Sequence, residues 1–158
     1  MVNGLYQRVA LGISVVMLSS ILFGCAGPSL PIDRPADFEI TWAEGGGMLM
    51  SGDRAVISAT KGTRTFDEVV DGSVQERVVE FVPTVAELDM LYSVLYTHGV
   101  DAMFQSSTMV YDADNTMIGM SWGKNDVNVS AIHVFFFAKD GFWKAHDAIG
   151  KYLNEKAP

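Results

Sequence analysis

Hydrophobic and polar positions divide this chain into one apolar leader and a series of short segments, alternating first and helical later. Residues 9–23 carry no charge, with Gly12, Ser14, Ser19 and Ser20 as the only breaks in an apolar run. Downstream, Phe38, Ile40 and Trp42 alternate with Glu39, Thr41 and Ala43, the period of a half-buried strand. Gly45-Gly46-Gly47 interrupts that pattern. Residues 55–60 predict a second strand with Val56 and Ile57 as its apolar pair. Residues 63–70 and 75–82 predict two more, joined through Asp71-Gly72, a strong hairpin signal. Pro83 ends the run, because proline cannot donate to a strand ladder.

The period then changes to that of a helix. Thr84-Val85-Ala86-Glu87 fits a capping box, in which Thr84 accepts from the Glu87 amide and Glu87 reaches back. Leu88, Leu91, Tyr92 and Leu95 fall on one helical face. His98 lies in the last turn, and Gly99 suits the left-handed position that closes a helix. Three further strands are expected over 103–111, 116–122 and 127–137, the first two joined by Asp112-Ala113-Asp114-Asn115. The last ends in Phe135-Phe136-Phe137, apolar on both parities, which reads as a central strand or one covered on both faces at that end. Asp140-Gly141 is expected to turn the chain into a C-terminal helix with Phe142, His146, Ile149 and Leu153 inward. The order strands, helix, strands, helix predicts an α+β domain: a mostly antiparallel sheet with two helices packed on one face.

The leader adds an address. Residues 1–8 are short and basic, through the terminal amine and Arg8, and residues 9–23 are too short to span a bilayer comfortably. A basic start, a short apolar core and a small residue at Gly24 read as a secretory signal over 1–24. Leu22-Phe23-Gly24-Cys25 resembles the lipobox of bacterial lipoprotein precursors at Leu22, Gly24 and Cys25; Phe23 stands where a smaller residue is usual. The resemblance covers about the first 25 residues. It implies diacylglycerol on the Cys25 sulfur, cleavage after Gly24 and acylation of the new amine. The other reading is an uncleaved anchor helix with Cys25 a bystander thiol. Residues 25–35 contain Pro28, Pro31 and Pro35 and predict an extended tether, lifting a domain at 36–158 by roughly 30 Å. Ala26 follows the cysteine where retention at the inner membrane would call for Asp. In a Gram-negative cell the resemblance therefore implies the periplasmic face of the outer membrane.

Charge narrows the partners. Removing residues 1–24 takes one of the 11 basic residues, Arg8, and none of the 19 acidic ones, so the net charge moves from −8 to −9. That balance argues against nucleic acid and against an anionic lipid surface as electrostatic partners. The mature chain of 134 residues suffices for one domain with a real core. Cys25 is the only cysteine, so packing rather than disulfides must stabilise it.

No catalytic, cofactor or metal motif emerges. His98, His133 and His146 form no HExxH, and His133 in a strand and His146 on an apolar helix face read as packing residues. The loop from Asp112 opens like a calcium loop, but Met117 and Gly123 stand where that loop needs Gly and Glu. Glu44-Gly45-Gly46-Gly47 lacks the lysine of a phosphate-binding loop and reads as a turn or a partner-contact loop. Met48, Met50, Met103, Met109, Met117 and Met120 fall at strand positions and read as core filling, with an adaptable partner-binding surface as the other reading. The layout, with Glu87-Leu88 and Tyr111-Asp112, resembles a scattered set of small bacterial lipoproteins of unknown function. In layout and in the Gly-Gly hairpin it is also similar to emfourin-type inhibitors of metalloproteases, with no inhibitory motif matched residue by residue. The functional expectation is a non-enzymatic, lipid-anchored envelope domain that binds another envelope protein. Protease inhibition is the alternative, and a hydrolase whose residues meet only in the fold is the third.

Overall fold

The computed structural model describes residues 28–45, 52–103, 105 and 116–158. Six strands, β1 (Glu39–Glu44), β2 (Asp53–Ile57), β3 (Gly62–Val70), β4 (Ser73–Phe81), β5 (Met117–Trp122) and β6 (Asn125–Ser130), form one antiparallel sheet in the order β4-β3-β2-β1-β5-β6. Helices α1 (Val85–Thr97) and α2 (Lys139–Lys156) cover one face, and a short 3-10 turn at Val100–Ala102 follows α1. This is the expected α+β architecture.

Register explains which side chains meet the helices. Ile40 pairs with Ile57 and Met120, and Trp42 with Ala55 and Ile118, so these six residues share the face that α1 and α2 bury. Onto it pack Leu88, Leu91 and Leu95 from α1 and Phe142, Ile149 and Leu153 from α2, all essentially inaccessible. The opposite face carries Thr41, Val56, Thr63, Thr65, Val78 and Glu80, half-buried or exposed.

The capping box forms as read: the Glu87 amide donates to Thr84 Oγ1 at 3.3 Å and the Thr84 amide to Glu87 Oε2 at 2.8 Å. Lys156 at the end of α2 also pairs with Glu87 at 2.6 Å. That contact is the first cause, ahead of the Thr84 amide, holding the Glu87 carboxyl below its ordinary range. Gly99 takes the left-handed conformation, φ 60°, just past α1. Asp71 and Gly72 both have positive φ, the mark of a type I′ turn between β3 and β4.

Four expectations are corrected. The second strand ends at Ile57 rather than residue 60, because Ser58 closes a turn on Lys61: its amide donates to the Lys61 carbonyl at 2.9 Å. The last strand ends at Ser130, not 137. The Ser130 carbonyl accepts from the amides of His133 (3.0 Å) and Val134 (3.2 Å), which curls the chain out of the ladder. β6 is the last strand of the described sheet rather than a central one, His133 is in that turn, and Phe135, Phe136 and Phe137 are exposed rather than covered. Asp140-Gly141 lies inside the first turn of α2, not before it. Finally, the packed domain begins before residue 36, because Leu30 is part of the core. Of the strand expected over 103–111, only Met103 and Gln105 lie among the described residues, and the Asp112–Asn115 loop lies outside them.

Candidate functional site

Cys25 lies outside the described residues, but the place where the chain after it is captured is defined. Leu30 is buried, at 5 % exposure, and its amide donates to Asp101 Oδ2 at 2.8 Å. The Tyr92 hydroxyl donates to the Pro31 carbonyl at 2.5 Å, and Arg34 pairs with Asp89 at 2.8 Å. Burial, and then the neighbouring Asp101 charge, raise the Tyr92 phenol above its ordinary range. These contacts lay residues 30–34 along α1 from its C-terminal end backwards. The tether expected over 25–35 is thus a bound strap from Leu30 onward, and the 30 Å spacer does not exist over that stretch. The reason is that Leu30 is buried in the core, Tyr92 donates to the Pro31 carbonyl and Asp89 pairs with Arg34.

The histidines are held apart by different elements. His98 lies at the end of α1, His133 in the turn after β6 and His146 within α2. His146 is buried and stacks on Trp42 with ring centres 4.9 Å apart. Its Nε2 lies 3.1 Å from the Ala43 carbonyl. A carbonyl only accepts, so Nε2 carries the proton. Trp42 Nε1 in turn donates to the His146 carbonyl at 3.2 Å, and Gly150 leaves room for the indole, since a Cβ there would sit 3.3 Å from it. This is the packing role expected of His146, a lock between β1 and α2. The Nε2 of His133 is buried without a hydrogen-bond partner among the described residues. Of the Gly-rich segment, Glu44 and Gly45 are described and Gly46 and Gly47 lie outside. No group of three or more His, Cys, Asp or Glu residues suited to a metal ion occurs among the described residues.

Arg64 is a residue that pattern reading passed over. It occupies the helix-covered face of β3, buried at 8 % exposure. Its guanidinium donates to Asp53 through Nε (3.0 Å) and Nη2, to Asn154 Oδ1 (2.9 Å) and to the Ala157 carbonyl (2.8 Å). One side chain thus clamps the C-terminal end of α2, where backbone carbonyls lack helical partners, to β2 and β3. The signal was present: Gly62, Arg64 and Phe66 are the inward parity of that strand.

The β3–β4 hairpin is largely exposed. Among the described residues its pairing with β2 ends at Arg54–Thr65, and the five pairs from Phe66–Arg77 to Val70–Ser73 extend past that point. Phe66 lies between two guanidinium groups, 4.9 Å from Arg64 and 5.8 Å from Arg77. Val69 and Val74 are direct cross-strand partners and remain 71 % and 67 % exposed. In a two-residue hairpin the closing pair exchanges both bonds, so Val74, Glu76, Val78 and Glu80 turn their N–H and C=O groups outward. Among the described residues no backbone group pairs along that side. Arg54–Glu76 at 2.8 Å and Lys61–Glu80 at 2.5 Å frame it with charge.

In comparisons with family models, curated proteins and solved structures, nothing matches this chain. No helix among the described residues is long and apolar enough to cross a membrane.

Proposed function

We propose that this chain is a lipid-anchored bacterial envelope protein, acylated at Cys25, that binds a partner protein through the β3–β4 hairpin. The projecting hairpin carries the binding part of the reading. A nine-residue edge strand with outward backbone groups is a template onto which an extended segment can add, and the exposed valines supply side-chain contact. The flanking ion pairs restrict which segment fits without adding much stability of their own. The Leu22-Phe23-Gly24-Cys25 sequence supports the anchor, and the strap at Leu30 supplies a fixed point close behind it.

Two measurements test the two parts. Intact mass of the mature protein should correspond to a chain starting at Cys25 plus acyl groups, and Cys25→Ala should lose that mass and leave the membrane fraction. Unchanged mass and retention in Cys25→Ala would remove the anchor. Envelope cross-linking should recover one stoichiometric protein partner, with recovery falling at least tenfold in Val69→Lys/Val74→Lys while the fold is unaltered. Equal recovery from that variant would remove the hairpin as the binding surface.

A further inference from the structure

The exposed aromatic run after β6 lies at the same end of the molecule as the point where the anchor leaves. Phe135, Phe136 and Phe137 are 45 %, 84 % and 66 % exposed. They order one another: the rings of Phe135 and Phe137 stack at 5.9 Å, and Phe136 meets Phe137 edge-on at 5.7 Å. Phe137 lines a shallow hollow of about 220 Å³ together with Ala102, Met103 and His98. Ala102 adjoins Asp101, whose carboxylate holds the Leu30 amide. From Leu30 back to Cys25 is five residues, so the sulfur lies within about 18 Å of that point even with the chain fully extended.

We propose that Phe135–Phe137 form a foot that inserts into the bilayer holding the Cys25 acyl chains; this rests on the lipoprotein reading above. A cluster of three exposed phenylalanine rings is unusual on a solvated surface, and phenylalanine is among the residues that membrane-surface segments bury at the headgroup–acyl boundary. The chemistry suits a bilayer interface. Residues 131–138 contain no acidic side chain, and the first charged residue after the rings is Lys139. The contact therefore depends on apolar burial, not on attraction to anionic lipid, which the net charge of −9 left after removal of residues 1–24 disfavours. The short link to Cys25 keeps the rings beside the acyl chains, so each contact raises the effective concentration of the other. At the far edge of the sheet, five strand spacings or about 24 Å away, the β3–β4 hairpin stays available to a partner.

The test uses the full acylated chain in phosphatidylcholine vesicles, with and without bromine on the upper acyl chain. Acylation blocks the Cys25 thiol, so Phe136→Cys and, separately, Val74→Cys each take one environment-sensitive fluorophore. Both positions are exposed, and the substitutions leave the core untouched. The expected result is blue-shifted emission at 136 that brominated lipid quenches at least twofold, with water-like, unquenched emission at 74. Water-like emission at 136, in protein whose mass confirms the acyl groups, would overturn the foot and leave the lipoprotein reading standing. Blue-shifted emission at 136 that bromine does not quench would also overturn it, and would assign the rings to a protein cover such as residues 106–115. Absence of acyl mass together with water-like emission would overturn both.

Discussion

The two edges of the sheet are finished in opposite ways. Beyond β6 the Gln105 side chain takes the place of a neighbouring strand. It donates to the Asn128 carbonyl at 2.7 Å and accepts from the Ser130 amide at 3.0 Å, while Gln105 itself bridges to Val134. That edge is closed within its last three residues, and the chain then leaves it for the aromatic turn. β4 receives no such cover among the described residues. Its protection is charge, at Glu76, Arg77 and Glu80, and the twist of a hairpin that outruns its support. A closed edge contributes to the fold; an open one guarded by charge leaves pairing to whatever matches the guard. One edge is thus satisfied by the chain itself, and the other, among the described residues, keeps its outward backbone groups unpaired.

Changes that remove support from both edges at once should have the largest effect. Trp42→Ala empties the centre of the helix-covered face and orphans the His146 lock, and should cost about 3–5 kcal/mol in urea unfolding. Both edges should melt together. Arg64→Met acts on the β4 side. It leaves the Asp53 carboxylate and the Ala157 carbonyl without their donor, and should cost about 2–3 kcal/mol, below the value for a fully sealed pair because Asp53 is partly exposed. The edges themselves should respond unequally. Gln105→Ala should cost about 1 kcal/mol and deprotect the Ser130 amide in hydrogen exchange. Glu80→Ala should change stability by less than about 0.5 kcal/mol. Equal costs at the two edges would remove the asymmetry.

The smallest effect concerns Tyr152, which packs edge-on to Phe81 of β4 at 6.0 Å. Its hydroxyl is buried without a partner among the described residues, and burial pushes its pKa up to about 12. Between pH 10 and 12 the unfolded chain loses this proton and the folded chain keeps it. Stability is therefore full below pH 10 and falls as pH rises toward 12. Tyr152→Phe should flatten that alkaline slope in thermal melts and be neutral or slightly stabilising at pH 7.

The elements whose signals are local were legible in the sequence. The Thr84–Glu87 box, Gly99 and Asp71-Gly72 each fix a conformation through neighbouring atoms, and alternation at Phe38, Ile40 and Trp42 gave the buried face of β1. Reading failed where a partner distant in sequence decides. Three phenylalanines carry the same apolar signal in a covered strand or an exposed turn, and the turn is set by the Ser130 carbonyl. The prolines after Cys25 suggested a spacer, while Asp101 and Tyr92, some 60 to 70 residues on, bind it as a strap. Nothing close in sequence marks Arg64 as a clamp on α2, because Asn154 and Ala157 come from the other end of the chain. Of the site, only the Leu22-Phe23-Gly24-Cys25 pattern is local; the open edge exists because, among the described residues, no strand pairs with the outer side of β4.

The most direct test is to place a photoreactive side chain at Val74 in one variant and at Phe136 in another, each in the full acylated chain within its own envelope. The account predicts that the probe at 74 cross-links to a single protein species and the probe at 136 to phospholipid. Cross-linking of both positions to the same class of neighbour, lipid at 74 or the same protein at 136, would contradict it.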